Sequence, residues 1–162
     1  MVRGFITFAK RLSYGGALLA SFLVMALVVL IMTEIILRAF FNTSTMLADE
    51  YSGYLYLAIV CFGLGYTFLK DGHIRITFMT AKLSSKASSF VDVFAGIMTL
   101  GVLIFALYRT ILLAYDAYIF EVRSEAVSAT PIYLTQLALP LGLCLFIIAV
   151  VAYILQRLFH DQ

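Results

Sequence analysis

"LSYGGALLASFLVMALVVLIMT", residues 12–33, contains no Asp, Glu, Lys or Arg. A helix that crosses the hydrocarbon core of a membrane needs about 20 predominantly apolar residues, and this stretch supplies them. Three further uncharged stretches follow at 51–69, 93–108 and 126–156. The 93–108 stretch is short for a span, but it becomes long enough if Asp92 and Arg109 lie at the two membrane interfaces.

The composition leaves little material for a water-soluble domain. Of 162 residues, 64% are hydrophobic and 12% are charged, whereas a soluble domain carries about 25% charged residues. Only helices and closed barrels satisfy their backbone hydrogen bonds in lipid, and the uncharged stretches lack the alternation of barrel strands. The sequence therefore predicts an all-α integral membrane protein with a single domain over residues 1–162. Its four transmembrane helices are expected near 13–40, 47–70, 90–118 and 129–157.

Lysine and arginine are unevenly distributed among the segments that flank these helices. They concentrate at the two termini and in the segment 70–89, as Arg3, Lys10, Arg11, Lys70, Arg75, Lys82, Lys86 and Arg157. The connections 39–50 and 116–125 are acidic on balance. Because cytoplasmic segments carry the excess of Lys and Arg, we expect both termini and the segment 70–89 on the cytoplasmic side, and the acidic connections on the other.

The segment after the second helix has the pattern of a helix that lies in the membrane surface. An apolar stripe, comprising Ile76, Met79, Leu83, Ala87 and Phe90, is edged by Arg75, Lys82 and Lys86. Such a helix places its cations near anionic lipid headgroups, and Lys70 and His73 lie just before it. We predict a short amphipathic in-plane helix over about 74–88. An ordinary solvated basic loop is the alternative.

Four charged residues surround the connection between the first two helices. Glu34 and Arg38 have the favourable order for a helical ion pair, while Asp49 and Glu50 begin the second helix, where acids suit the helix dipole and Asp49 could act as a cap. One interpretation is a capped helix beside a local ion pair. The other is that Arg38, Asp49 and Glu50 form a cluster that docks a partner, because ionisable groups at membrane depth are often functional.

No pattern in the sequence indicates catalysis, a cofactor or a metal. A membrane cytochrome needs His ligands inside its helices, but His73 and His160 both flank them. Clustered zinc ligands and a phosphate-binding loop are absent from the sequence. No acid or base can be placed at the bilayer centre, as an independent pump would require, so the chain is not expected to transport a substrate alone. No nucleic-acid partner is expected.

Several short motifs occur in an order that resembles a known family. Arg38 ends the first helix, "LADE" (47–50) begins the second, and "GLGYTFLKDGHIRI" (63–76) closes it. Pro131 and the triplet Pro140-Leu141-Gly142 mark the fourth helix. This order is similar to the small membrane subunit of tripartite ATP-independent periplasmic (TRAP) transporters, the DctQ type. Leu47 and Thr77 differ from the Trp and Asp usual in that family.

The resemblance implies a scaffold in a bacterial inner membrane. A large membrane subunit would move an organic acid with a sodium gradient after a periplasmic binding protein delivers it, and the small subunit would brace the large one among membrane lipids. Small residues favour close helix packing in lipid, so Gly63, Gly65 and Gly142 are candidate packing positions, together with Pro140 as a kink.

Two other functions remain open at this stage. A four-helix membrane enzyme could use a cytoplasmic-face site around His73 and Arg75. A small multidrug carrier could use Glu34 as its coupling acid.

Overall fold

The computed structural model describes residues 2–70 and 85–160 of the chain. Its helices are α1 (Val2–Phe41), α2 (Ala48–Leu69), α3 (Ser85–Ile119), α4 (Ile132–Gln136) and α5 (Ala138–His160). Within the described residues, four segments are long and apolar enough to cross a membrane, namely Val2–Phe41, Ala48–Leu69, Phe90–Ile119 and Ile132–Leu158. The predicted all-helical fold with four such helices is confirmed.

Helix boundaries differ from the sequence expectation at two places. The first helix begins at Val2 instead of near residue 13, because no proline interrupts the segment before Phe41. The predicted in-plane helix lies, as far as residue 84, outside the described residues. Residues 85–88, which we had assigned to it, form the first turn of α3.

Pro140 interrupts the last span. Proline has no N–H to donate and its ring crowds the carbonyl four residues earlier, which here belongs to Gln136. Accordingly α4 ends at Gln136 and α5 begins at Ala138. Leu137 between them keeps helical backbone angles, with φ −61° and ψ −24°. The two helices are therefore one membrane segment with an irregular turn where a kink was expected.

Helix α5 is the centre of the molecule, since it packs against α1, α2 and α3. Small residues permit these close contacts. A Cβ added to Gly142 would lie 2.5 Å from Cys61 Cβ, and one added to Gly96 would lie 2.8 Å from Ile154 Cγ1. In lipid, where apolar burial drives association weakly, such close packing holds helices together.

The remaining core is small and made largely of aliphatic side chains. Leu103, Phe146, Ala149 and Val150 form a buried cluster between α3 and α5. The ring of Phe68 extends it towards α2, with its centroid 5.5 Å from that of Phe146. Large side chains elsewhere on α1 and α3 face outward, as expected of helices surrounded by lipid.

We expect Gly142→Ala to destabilise the protein by about 1–3 kcal/mol, the usual cost of overpacking. The new methyl group would meet Cys61 backbone atoms at 2.8 Å, and backbone cannot move aside cheaply. Gly101→Ala is the matched control, because nothing lies within 4 Å of its Cβ position, and alanine gains up to about 1 kcal/mol of helix propensity there. Thermal unfolding in detergent, followed by circular dichroism, should show a lower unfolding midpoint for Gly142→Ala and a higher one for Gly101→Ala. Equal shifts of the two midpoints would contradict the packing argument.

Candidate functional site

The helix ends divide the charged residues into two groups. At one end, which we call the basic end, lie Arg3, Lys10, Arg11, Lys70 and Arg157. Contacts between helices place these residues together. The rings of Tyr14 and Tyr66 have centroids 6.0 Å apart, and those of Phe68 and Tyr153 are 5.2 Å apart. At the opposite end, the acidic end, residues 42–47 join α1 to α2 and residues 120–131 join α3 to α4.

Glu34 organises the first connection of the acidic end. Glu34 is only 5% exposed, and its carboxylate accepts hydrogen bonds from four donors. Oε1 accepts from Arg38 Nε at 2.7 Å and from the Ser44 hydroxyl. Oε2 accepts from the Thr45 backbone N–H at 3.1 Å and from Thr45 Oγ1 at 2.6 Å. The expected helical pair of Glu34 with Arg38 is therefore present, within a larger polar network.

Arg38 and Asp49 meet at the surface of this end. Arg38 Nη2 lies 3.8 Å from Asp49 Oδ2, with the two side chains 54% and 89% exposed. An ion pair this exposed contributes little to stability. The expectation that Asp49 caps α2 is wrong, because the helix begins one residue earlier, at Ala48, and its N-cap residue Leu47 has no side-chain cap.

Glu50 turns away from Arg38 and secures the second connection. Its Oε1 accepts from Tyr54 Oη at 2.8 Å, and its Oε2 accepts from the Ser128 hydroxyl. Ser128 Oγ lies 2.7 Å from Thr130 Oγ1, which lies 3.0 Å from Tyr51 Oη. The three charged residues proposed as one cluster thus divide into a surface pair and a separate carboxylate that anchors a loop.

Both connections contain backbone conformations that cost free energy. Met46 has φ 55° in the first connection and Ala129 has φ 45° in the second. Residues other than glycine rarely adopt this left-handed region. The Ser44 hydroxyl accepts the N–H of Met46 at 3.1 Å, and the Ser128 hydroxyl accepts the N–H of Thr130 at 3.3 Å. Each hydroxyl also donates to a glutamate, so the two carboxylates hold both strained turns in place.

At the basic end, an ion pair joins α3 to α5. Arg157 Nη2 lies 3.4 Å from Asp92 Oδ2, and the Asp92 side chain is 13% exposed. Arg157 also lies over the Tyr153 ring, 5.6 Å from its centroid. The sequence placed Asp92 and Arg157 on the same side of the membrane, but nothing in it indicated that they pair.

The predicted membrane-interface residues are described in part. Lys70 is exposed at the end of α2, with its Nζ 6.0 Å from the centroid of the Tyr66 ring. His73, Arg75 and Lys82 lie outside the described residues. Lys86 lies in the first turn of α3.

The candidate packing residues have different surroundings. Gly65 faces Ser13 Oγ at 3.3 Å from its Cβ position, whereas Gly63 has nothing within 4 Å. Pro140 and Gly142 are buried in the last span. Gly63 is therefore the member of this set that lies open to a partner or to lipid.

The described part of the chain shows no arrangement of side chains that indicates catalysis. It contains no group of three or more His, Cys, Asp or Glu side chains that could hold a metal ion. A cavity of about 410 Å³ at the acidic end is lined by residues that include Tyr118, Glu121, Arg123 and Tyr133. The residues that sequence reasoning missed are the hydroxyl partners Ser44, Thr45, Ser128 and Thr130. The signal available in the sequence was the clustering of Ser and Thr in "NTST" (42–45) and "SAT" (128–130).

We expect Glu34→Gln to lower the midpoint of thermal unfolding by several degrees. The amide nitrogen of glutamine would face either Arg38 Nε or the Thr45 N–H, and both of these can only donate. One hydrogen bond is lost in either orientation, which leaves a polar group unsatisfied. Asp49→Asn, at an 89% exposed side chain, is the control and should leave the midpoint unchanged. A midpoint for Glu34→Gln equal to that of the control would show that the network does not stabilise the fold.

Glu50→Ala should release the second connection, because the Ser128 hydroxyl loses its acceptor. Arg123 in this connection provides a trypsin site that is exposed and bridged to Pro131. We expect cleavage after Arg123 to become several-fold faster than in the parent, with Asp49→Asn cleaved at the parent rate. Mass analysis of the two fragments gives the rates. Unchanged cleavage in Glu50→Ala would mean that other contacts hold the loop.

Comparison with known protein families matches the chain to the model for tripartite ATP-independent periplasmic transporters, DctQ component, over residues 13–160. No individual curated protein matches the chain. The family match spans nearly the whole chain and all four membrane helices, and it agrees with the resemblance in the sequence. It makes the protein a transporter component and not an enzyme. The chain belongs to the DctQ family, the small membrane components of TRAP transporters.

Proposed function

We propose that this chain braces the large membrane subunit of a TRAP transporter during sodium-driven uptake of an organic acid. A periplasmic binding protein delivers the acid, and the large subunit moves it. The observation that carries the proposal is the family match. The structure adds that the buried carboxylate of Glu34 is engaged in holding a connection between helices. Transport independent of ATP needs another energy source, and an ion gradient supplies one.

The internal packing supports a bracing role. Helix α1 packs on α2 and α5, while α3 packs on α5 and α4. Each of these long helices keeps a broad apolar face outward. On α1, Phe22, Met25 and Val29 are 70%, 64% and 62% exposed, and on α3, Val102 and Phe105 are 67% and 66% exposed. Such faces can pack against another membrane protein as well as against lipid.

The hydrogen bonds of the Glu34 carboxylate argue against an independent carrier. A coupling acid must exchange its proton during transport, but this carboxylate already accepts four hydrogen bonds from the first connection and Arg38. Protonation would break that network. The alternative of a multidrug carrier that uses Glu34 therefore receives no support from the geometry.

The orientation in the bacterial inner membrane follows from the distribution of charge. The basic end carries Arg3, Lys10, Arg11, Lys70 and Arg157, whereas the acidic end carries Asp49, Glu50, Glu121 and Glu125. By the positive-inside rule, we place the basic end and both termini in the cytoplasm. The exposed pair of Arg38 and Asp49 then faces the periplasm, where the binding protein could contact it.

A photo-crosslinking experiment tests the bracing role and identifies the face used. A photoreactive phenylalanine analogue replaces Phe22 on α1 or Phe105 on α3, which preserves an aromatic side chain at each position. The tagged chain is co-expressed with the other transporter components. We expect a many-helix membrane protein to co-purify at about one-to-one stoichiometry and to crosslink from at least one face.

The same analogue at Phe62, a half-buried residue whose backbone contacts α1 at Gly16, serves as the control and should not crosslink to the partner. A chain that purifies alone and crosslinks from neither outer face would contradict the proposal.

A further inference from the structure

A cavity at the basic end lies between α1 and α2 and has no role in the bracing function. It measures about 310 Å³ and is lined by Lys10, Tyr14, Tyr66, Leu69 and Lys70. The rings of Tyr14 and Tyr66 contact each other with centroids 6.0 Å apart, and both line the cavity together with the two lysines. The cavity thus combines two ammonium groups with an apolar surface.

Among the described residues, the two lysines lie apart from every carboxylate. Both are exposed, and within residues 2–70 and 85–160 neither has a carboxylate oxygen within 4.0 Å of its Nζ. Lys70 Nζ lies 6.0 Å from the centroid of the Tyr66 ring, a position in which the ring face attracts a cation. The hydroxyls of Tyr14 and Tyr66 also bond to no other described residue, so two neutral donors remain available beside the lysines.

The position of the cavity along the helices identifies the level of the membrane at which it opens. Lys10 precedes the uncharged stretch 12–33 by two residues, and Lys70 directly follows the uncharged stretch 51–69. With a helical rise of about 1.5 Å per residue, both ammonium groups lie close to the boundary between hydrocarbon and headgroups. Tyrosine is common at that boundary because it has an apolar ring and a polar tip.

The charge of the cavity selects an anion. The carbonyl groups at the end of α2 give that region a partial negative charge of about half an elementary charge, which the full positive charge of Lys70 outweighs, and Lys10 adds to the attraction. Ammonium groups bind phosphate oxygens as compact point charges. A phosphate with an acyl chain would also cover the exposed surfaces of Tyr14 and Leu69, which favours a phospholipid over a soluble ion.

We propose that the cavity between Lys10 and Lys70 binds a phosphate group, held by the two ammonium groups and the tyrosine hydroxyls at the headgroup level of the membrane. The anionic headgroup of a phospholipid supplies this phosphate most directly, and a soluble phosphate would use the same contacts. The proposal does not depend on the bracing function or on the transported substrate. It adds to the chain a specific lipid site on the side that we place in the cytoplasm.

Native mass spectrometry of the full chain, purified in detergent, tests the site. The protein is titrated separately with phosphatidylglycerol, with phosphatidylcholine and with inorganic phosphate. We compare Lys10→Gln, Lys70→Gln and the double variant with Arg3→Gln and Arg11→Gln. The two arginine variants remove the same charge from the same end, but neither arginine lines the cavity. All four positions are exposed, and unfolding followed by circular dichroism confirms that each variant folds.

We expect each lysine substitution to weaken phosphatidylglycerol binding about five-fold, the effect of one basic residue near an anionic lipid surface. The arginine variants should bind phosphatidylglycerol as tightly as the parent does. The binding of phosphatidylcholine should be the same in the parent and in every variant. Lysine-dependent binding of inorganic phosphate without lysine-dependent phosphatidylglycerol binding would identify a soluble ligand for the same site. Equal losses in the lysine and arginine variants, or no loss in either, would overturn the proposal.

Discussion

The close approach of the central helix to its neighbours is the constraint on which the rest of the structure depends. In lipid, helices gain little from burying apolar surface against each other, so van der Waals contact must hold them. Gly142 brings α5 against the Cys61 backbone, and Gly96 admits Ile154. Without these contacts α1, α2 and α3 would have no common support, because α5 is the helix against which all three pack.

In the described residues, polar side chains near the ends of the helices add to the stabilisation that packing provides. Glu34 and Glu50 each hold one connection of the acidic end through serine and threonine hydroxyls. Asp92 and Arg157 join α3 to α5 at the basic end. Unsatisfied backbone groups are costly where water is scarce, and these side chains satisfy the turns that helical hydrogen bonds cannot reach. The carboxylates of Glu34, Glu50 and Asp92 thus hold parts of the fold together, which is consistent with the proposed bracing role.

The two ends of the molecule have different relations to their surroundings. The turns of the acidic end are held by hydrogen bonds to two glutamates, and the Arg38–Asp49 pair is exposed on its surface. At the basic end, two lysines that pair with no carboxylate of the described residues line a cavity together with two tyrosines. Under the proposed bracing role the chain must resist tilting in the bilayer, and headgroup contacts at one end would help to fix its depth. The apolar faces of α1 and α3 between the two ends remain available to a partner and to lipid.

The sequence alone determined the fold class and the number of membrane helices, because spans of this length that lack the alternation of barrel strands must be helical in lipid. The order of its short motifs indicated the family. The sequence also anticipated the pairing of Glu34 with Arg38, whose spacing is local. It misplaced the cap at Asp49 and grouped Glu50 with Arg38, since spacing along one helix does not reveal which distant loop a side chain meets. Only the tertiary structure brought Ser128 to Glu50, Arg157 to Asp92, and Lys10 to the cavity beside Lys70. Those contacts join residues far apart in the chain, and the packing of helices around α5 decides them.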